Sequence, residues 1–451
     1  MIREPGTILL GAPVGSVSFE KQAIQARVGK VQEIVDRLPL LKDPQSEYSI
    51  LRSCLSQPKV MFNLRTINPV PHQKLWEEFD AIIREALCRI LGASLSQQQW
   101  VQATLTVAVG GLGLRAAGDH CFAAYAMSLL CSHDLKLEIL GRSAEECPPV
   151  LAGDVLDRLQ TKTGREDSVV SLRATTQRDV SLAIDLKNHQ NLTTSITDSG
   201  NIRDRARMGS LGLPNSGAWL NVIPSPALGL HFQPREFVTA VKYRLGVKLF
   251  PIEGRCTACP VLSDADGDHA ISCGWGGERI ARHNLIRDVL YNTCSSAALG
   301  PTREDRALLP GTEARPADIL LPYWSGGKDT ALDITVVNPL QTAFIHQSAA
   351  VPGHALRKAY ERKMARHGDS CREVGMVFRP LPMDTLGAWS DTMVAEVKRI
   401  GSSLARHTAG EESEVIKHLV QRMAVVLARV NASMILNRVP VYASTQVDGV
   451  E

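Results

Sequence analysis

Cys256, Cys259, His269 and Cys273 form one compact set of metal-ligand types, spaced C-x2-C-x9-H-x3-C. Two cysteines three apart on a turn can point at one ion. The distant imidazole and the last thiolate complete a tetrahedron of soft donors, the chemistry that suits a closed structural Zn²⁺ site. The intervening run Asp264-Ala265-Asp266-Gly267-Asp268 superficially resembles a calcium loop. An EF-hand requires glycine at its sixth position, which is His269 in this chain.

A second constellation follows. Ala317-Asp318-Ile319-Leu320-Leu321 and Ala331-Leu332-Asp333-Ile334-Thr335-Val336-Val337 read as short buried strands, joined by a turn containing Pro322, Gly326 and Gly327. Neighbouring strands would bring Asp318 and Asp333 together, in a mixed sheet with a third strand expected near 374–379. Close carboxylates repel unless a cation sits between them, and Mg²⁺ held by two carboxylates and waters is a usual solution for phosphodiester cleavage. Spacing alone is a weak signal, because two unrelated aspartates near strand ends are common. A helix over 353–367 then carries Arg357, Lys358, Arg362 and Lys363 with Glu361 as its acidic residue. Such a helix can orient a scissile phosphate, or can simply be a solvated basic face. Upstream, a helix starting at Glu278 is expected to present Arg282 and His283 to a nucleic-acid backbone.

Several elements must position these groups. The chain has 451 residues, 44% hydrophobic and 22% charged, with a net charge of +3. That length implies more than one core, and that charge requires any basic footprint to be local. Cys54, Cys88, Cys121, Cys131, Cys147 and Cys371 stand singly, which suits buried thiols in a reducing compartment better than a disulfide framework. No signal-peptide pattern and no run of about eighteen apolar residues is evident, so an intracellular protein, nuclear or cytoplasmic and without a membrane partner, is expected. Helical periodicity marks 24–35 and, more strongly, Pro71–Gly92. Residues 116–195 read as mostly helical, Gly110-Gly111-Leu112-Gly113 as a tight turn, and 209–233 as a breaker-rich boundary before a short helix at Arg235–Leu245.

In this order the motifs resemble one family: the C-terminal half of non-LTR retrotransposon reverse transcriptase proteins that carry a CCHC zinc knuckle and a restriction-like endonuclease of the PD-(D/E)xK class. The matching residues are the knuckle Cys256–Cys273, Arg282-His283-Asn284, Arg315-Pro316-Ala317-Asp318 with Asp333, and a basic helix with Lys358, Tyr360 and Lys363. Leu10-Gly11-Ala12-Pro13 and Gly110–Arg115 are similar to the post-palm and linker segments. The resemblance implies an α plus α/β chain: a thumb-like remnant (1–70), a helical linker (71–215), a linker helix and knuckle (216–277), a mixed-sheet nuclease (278–400) and a C-terminal helical segment (401–451). It implies structural Zn on Cys256, Cys259, His269 and Cys273, and catalytic Mg on Asp318 and Asp333. Lys358 or Lys363 would act on the phosphate, with nucleic-acid contacts from Arg282, His283, Arg357 and Arg362.

Three departures stand out. Ala317 separates Pro316 from Asp318, Thr335 occupies the usual position of the motif lysine, and no Asp-Asp dipeptide occurs. The lysine must then come from the following helix. Polymerisation, which needs a paired-aspartate metal site, is not expected; the chain reads as a fragment or truncated copy beginning after the palm. Three functions remain open: a Mg²⁺-dependent endonuclease that nicks DNA, a decayed module that only binds nucleic acid, and a relic scaffold. Expected partners are DNA, with RNA as a second ligand class, and a polymerase-bearing retroelement protein.

Overall fold

A computed structural model describes residues 6–303, 308–309 and 315–439. It is about 61% helical with small sheets, a mixed α and β chain. Met1–Pro5 and the end of the expected 401–451 segment, from residue 440, lie outside the described residues. Contacts divide the chain into two compact units, residues 1–195 and 196–451. The division falls inside the helix Gln177–Asp198, whereas the breaker-rich 209–233 stretch lies wholly in the second unit.

The first unit starts with a hairpin, Gly6–Leu9 against Ala12–Gly15, turned through Leu10-Gly11. Helices follow, and the expected pair are present as Val17–Val35 and Gln73–Leu91. The second buries Leu75, Trp76, Phe79, Ile83, Ala86, Leu87 and Ile90 along one stripe and ends at Gly92, whose φ of 57° suits a residue without Cβ. The glycine-rich stretch at 110–113 is the expected turn, and its amides are used up internally. The N–H groups of Leu112 and Leu114 donate to the Ala103 carbonyl, and that of Gly113 to Leu105. A Cβ on Gly111 would stand 2.0 Å from the Leu105 carbonyl oxygen, so only glycine lets the loop close on the preceding helix.

The second unit is built around a four-stranded sheet ordered Thr302–Arg303, Ile319–Ser325, Lys328–Val337 and Val377–Asp384. The first three strands are antiparallel and the last pairs parallel to the third. Parallel pairing needs a crossover, supplied by the helix His354–Glu373. The two faces of Lys328–Val337 meet different layers. Leu332 and Ile334 enter a core with Ile286, Leu290, Met393, Val397, Leu419 and Met423, from helices Glu278–Ser296, Asp391–Thr408 and Glu412–Leu436. Ala331 packs with Phe378 and Cys371, beneath the crossover helix. Alternation therefore sends Asp333 to the crossover-helix side.

Two expected boundaries move. The turn contracts to Gly326-Gly327, both at positive φ, because a two-residue turn of that hand matches strand twist. The expected third strand at 374–379 runs instead from Val377 to Asp384, through Pro380 and Pro382. Prolines are tolerated because this is an edge strand, with no further strand beside it among the described residues and only a Met383–Trp389 bridge on its outer side. Among the described residues one helix, Glu412–Leu436, is long and apolar enough to cross a membrane by length and composition, and 61% of its apolar window is buried within the protein.

Candidate functional site

Four ligands converge at the knuckle. A small hairpin, Gly254–Arg255 against Leu262–Ser263, carries Cys256 and Cys259 in its turn, closed by the Cys256 N–H donating to Val261 at 3.1 Å. His269 lies on the short helix Asp268–Ser272 and Cys273 caps it. The four ligand atoms lie within 4.8 Å of one another, and Cys259 Sγ is 3.3 Å from His269 Nε2. Tetrahedral Zn–S bonds of about 2.3 Å require sulfur separations near 3.8 Å, so small adjustments would complete the geometry. Burial raises the Cys256 thiol, but amide N–H groups of Ala258 and Cys259, with the His269 and Cys259 side chains, outweigh it and bring the pKa down to about 6. A thiolate there is ready to bind metal. The donor set fits zinc.

Supporting groups around the knuckle were not legible as such in the sequence. Asp264 accepts N–H bonds from Asp266, Asp268 and His269, so its carboxylate anchors the helix start instead of holding calcium. Asp268 in turn accepts hydrogen bonds from Arg203 Nε and Nη2 at 2.6 and 2.9 Å and from the Tyr243 hydroxyl at 2.9 Å. The acidic run that mimics a calcium loop is the signal that could have marked them.

The second cluster forms at the sheet. The Asp318 N–H donates to Leu332 O, which aligns the start of its strand with the partner carrying Asp333. Asp318 Oδ2 accepts the Ile334 N–H at 2.7 Å, filling a ladder position with a side chain. The same oxygen lies 3.1 Å from His283 Nε2, which is also 3.1 Å from the Ile334 carbonyl. The Asp318 hydrogen bond raises the His283 pKa above its ordinary value against the opposing effect of burial.

Asp333 is 5% exposed, with the Asp318 carboxyl as an electrostatic neighbour. Burial raises its pKa to about 6; Lys363 opposes the rise and Asp318 adds to it. Lys363 Nζ lies 3.0 Å from Oδ1 in hydrogen-bonding geometry and 2.8 Å from Oδ2 outside it. Among the described residues, Oδ2 is thus buried with no donor aligned on it. Two close carboxyls, one with an unmatched buried oxygen, are a donor set that fits a small hard cation.

Not every candidate joins this cluster. Lys358 points away and pairs with Glu361 at 2.7 Å, half-exposed. Arg357 and Arg362 lie on the exposed side of the same helix. Arg282, expected to face a nucleic-acid backbone, is 3% exposed and donates to Ile271 O and Asn431 Oδ1. It ties the knuckle to the helix Glu412–Leu436. Its neighbour His283, given the same expected role, faces Asp318 instead, because residues adjacent on a helix point about 100° apart. No protein-family model and no curated protein sequence matches the chain.

Proposed function

We propose that this chain is the C-terminal part of a retrotransposon reverse transcriptase protein and nicks DNA as a restriction-like, Mg²⁺-dependent endonuclease, with its knuckle closed by structural zinc. One observation carries the reading: Lys363, from the crossover helix, reaches Asp333, which is itself beside Asp318. The lysine missing from the strand at Thr335 is thus supplied from another element, as an active nuclease requires and a decayed one does not.

Asp318 and Asp333 would hold the cation. A hydrated Mg²⁺ there supplies Lewis-acid polarisation of the scissile phosphate. The remaining work belongs to the chain. Lys363 stabilises negative charge that develops on the attacked phosphate, in a site where burial strengthens the interaction. His283 and the Ile334 N–H hold the Asp318 carboxylate in one orientation. Arg357 and Arg362 neutralise flanking phosphates and contribute affinity rather than rate. DNA is the partner, RNA a second one, and a separate polymerase-bearing protein would supply synthesis.

The test is Mg²⁺-dependent nicking of supercoiled DNA. Asp333→Ala abolishes nicking and leaves retardation of DNA in gels close to wild type. Wild-type protein that binds DNA yet cuts with neither Mg²⁺ nor Mn²⁺ would establish the binding-only reading instead.

A further inference from the structure

A cleft of about 360 Å³ opens between the N-terminal ends of two long helices, His354–Glu373 and Asp391–Thr408. Its walls are apolar and aromatic: Leu213, Pro352, Leu356, Tyr360 and Trp389, with Arg357 also lining it. Trp389 is 2% exposed, and its indole N–H is buried without an acceptor among the described residues. Ser390, Asp391 and Thr392 supply a polar edge. The Arg357 guanidinium is half-exposed, 3.2 Å from His354 Nδ1 and 3.8 Å from Glu361. Only weak local contacts therefore compete for it.

We propose that this cleft receives one unstacked nucleotide of the DNA close to the cut. The inference rests on the nuclease reading. The apolar walls and tyrosine ring fit the face of a base, and stacking on such rings is favourable for any base. Hydroxyl and carboxylate groups at the edge can accept amino and imino hydrogens, while the guanidinium matches a phosphate. A free phosphate would not use the apolar walls, and an aliphatic ligand would not use Arg357 or Asp391. A base inside a duplex cannot enter, so it must leave the stack.

The placement follows from the helix. Leu356 is seven residues before Lys363, two turns away and on the same stripe. Tyr360 and Arg357 precede Lys363 by roughly 4.5 and 9 Å of rise. A duplex strand advances ~3.4 Å per nucleotide, so the unstacked nucleotide lies within about three steps of the phosphate at Lys363.

Duplex oligonucleotides carrying 2-aminopurine at successive positions around the nick, bound to the full chain with Ca²⁺ in place of Mg²⁺, test this directly. One position brightens severalfold on binding. Thr392→Trp, which fills the cleft from its rim, and Tyr360→Ala each abolish the rise, read at protein concentrations that retard all of the DNA. Bound DNA with no bright position, or brightening that survives both substitutions, overturns the proposal. If the chain binds no DNA at all, the nuclease reading fails and the cleft is judged by dialysis against the four deoxynucleoside monophosphates. Retention by wild type and not by Thr392→Trp supports the cleft; no retention overturns it.

Discussion

Lys358 and Lys363 are five residues apart on one helix, yet only Lys363 reaches Asp333. Five residues is 500° of helix rotation, which turns the two amines about 140° apart. Lys363→Ala should therefore cut the nicking rate by about 10²–10³, the usual effect of removing one group that stabilises transition-state charge. Lys358→Ala should stay within about twofold. Single-turnover nicking decides, and equal losses would sink the assignment. At the knuckle, protein purified without chelator should carry close to one zinc per chain by elemental analysis. Cys259→Ser should lose that zinc and unfold at a lower temperature, since metal binding to a closed site is linked to folding. Full stability without zinc would rule out the structural role.

At the scale of elements, the edge strand Val377–Asp384 ends in a carboxyl that organises the next turn. Asp384 Oδ1 accepts N–H groups from Leu386 and Ala388, and Oδ2 accepts the Ser210 hydroxyl. Burial raises its pKa from 3.8 to about 7, despite these donors. The folded chain thus holds this proton more tightly than the unfolded chain. Its contribution to stability is full below about pH 4 and is lost as pH rises through about 7. Asp384→Asn cannot ionise, so wild type should lose stability relative to this variant between those values, read from urea midpoints across pH. Parallel profiles would refute the buried proton. The same strand explains a misplaced boundary: prolines argue against a central strand, and only the pairing order reveals an edge.

At the scale of the whole molecule, the chain forms two compact units. Both the Cys256–Cys273 ligand set and the Asp318–Asp333 carboxyls proposed to hold Mg²⁺ lie in the second, and the described part of the first is helical apart from one hairpin. Residues 1–215, expected as a thumb and linker without chemistry, include no paired aspartates. Primer extension by this chain on a primed template should give no product with Mg²⁺ or Mn²⁺, because polymerisation needs that second pair of metal ligands. Extension that survives purification to homogeneity would overturn that expectation.

The local pattern carried what local chemistry controls. The Cys256, Cys259, His269 and Cys273 spacing, the helix at 73–91, the first four turns of the helix at 354–373, and the neighbouring strands that bear Asp318 and Asp333 were legible because each depends on periodicity, turn residues or short spacing. Tertiary structure alone decided which basic side chains are free. Arg282 and His283 are adjacent in sequence, but helix rotation and packing bury one against Asn431 and deliver the other to Asp318. Lys363 reaches Asp333 because a parallel crossover lays its helix over the face to which strand alternation sends that carboxylate. No spacing rule encodes that contact, since it depends on which layer covers each face of the sheet.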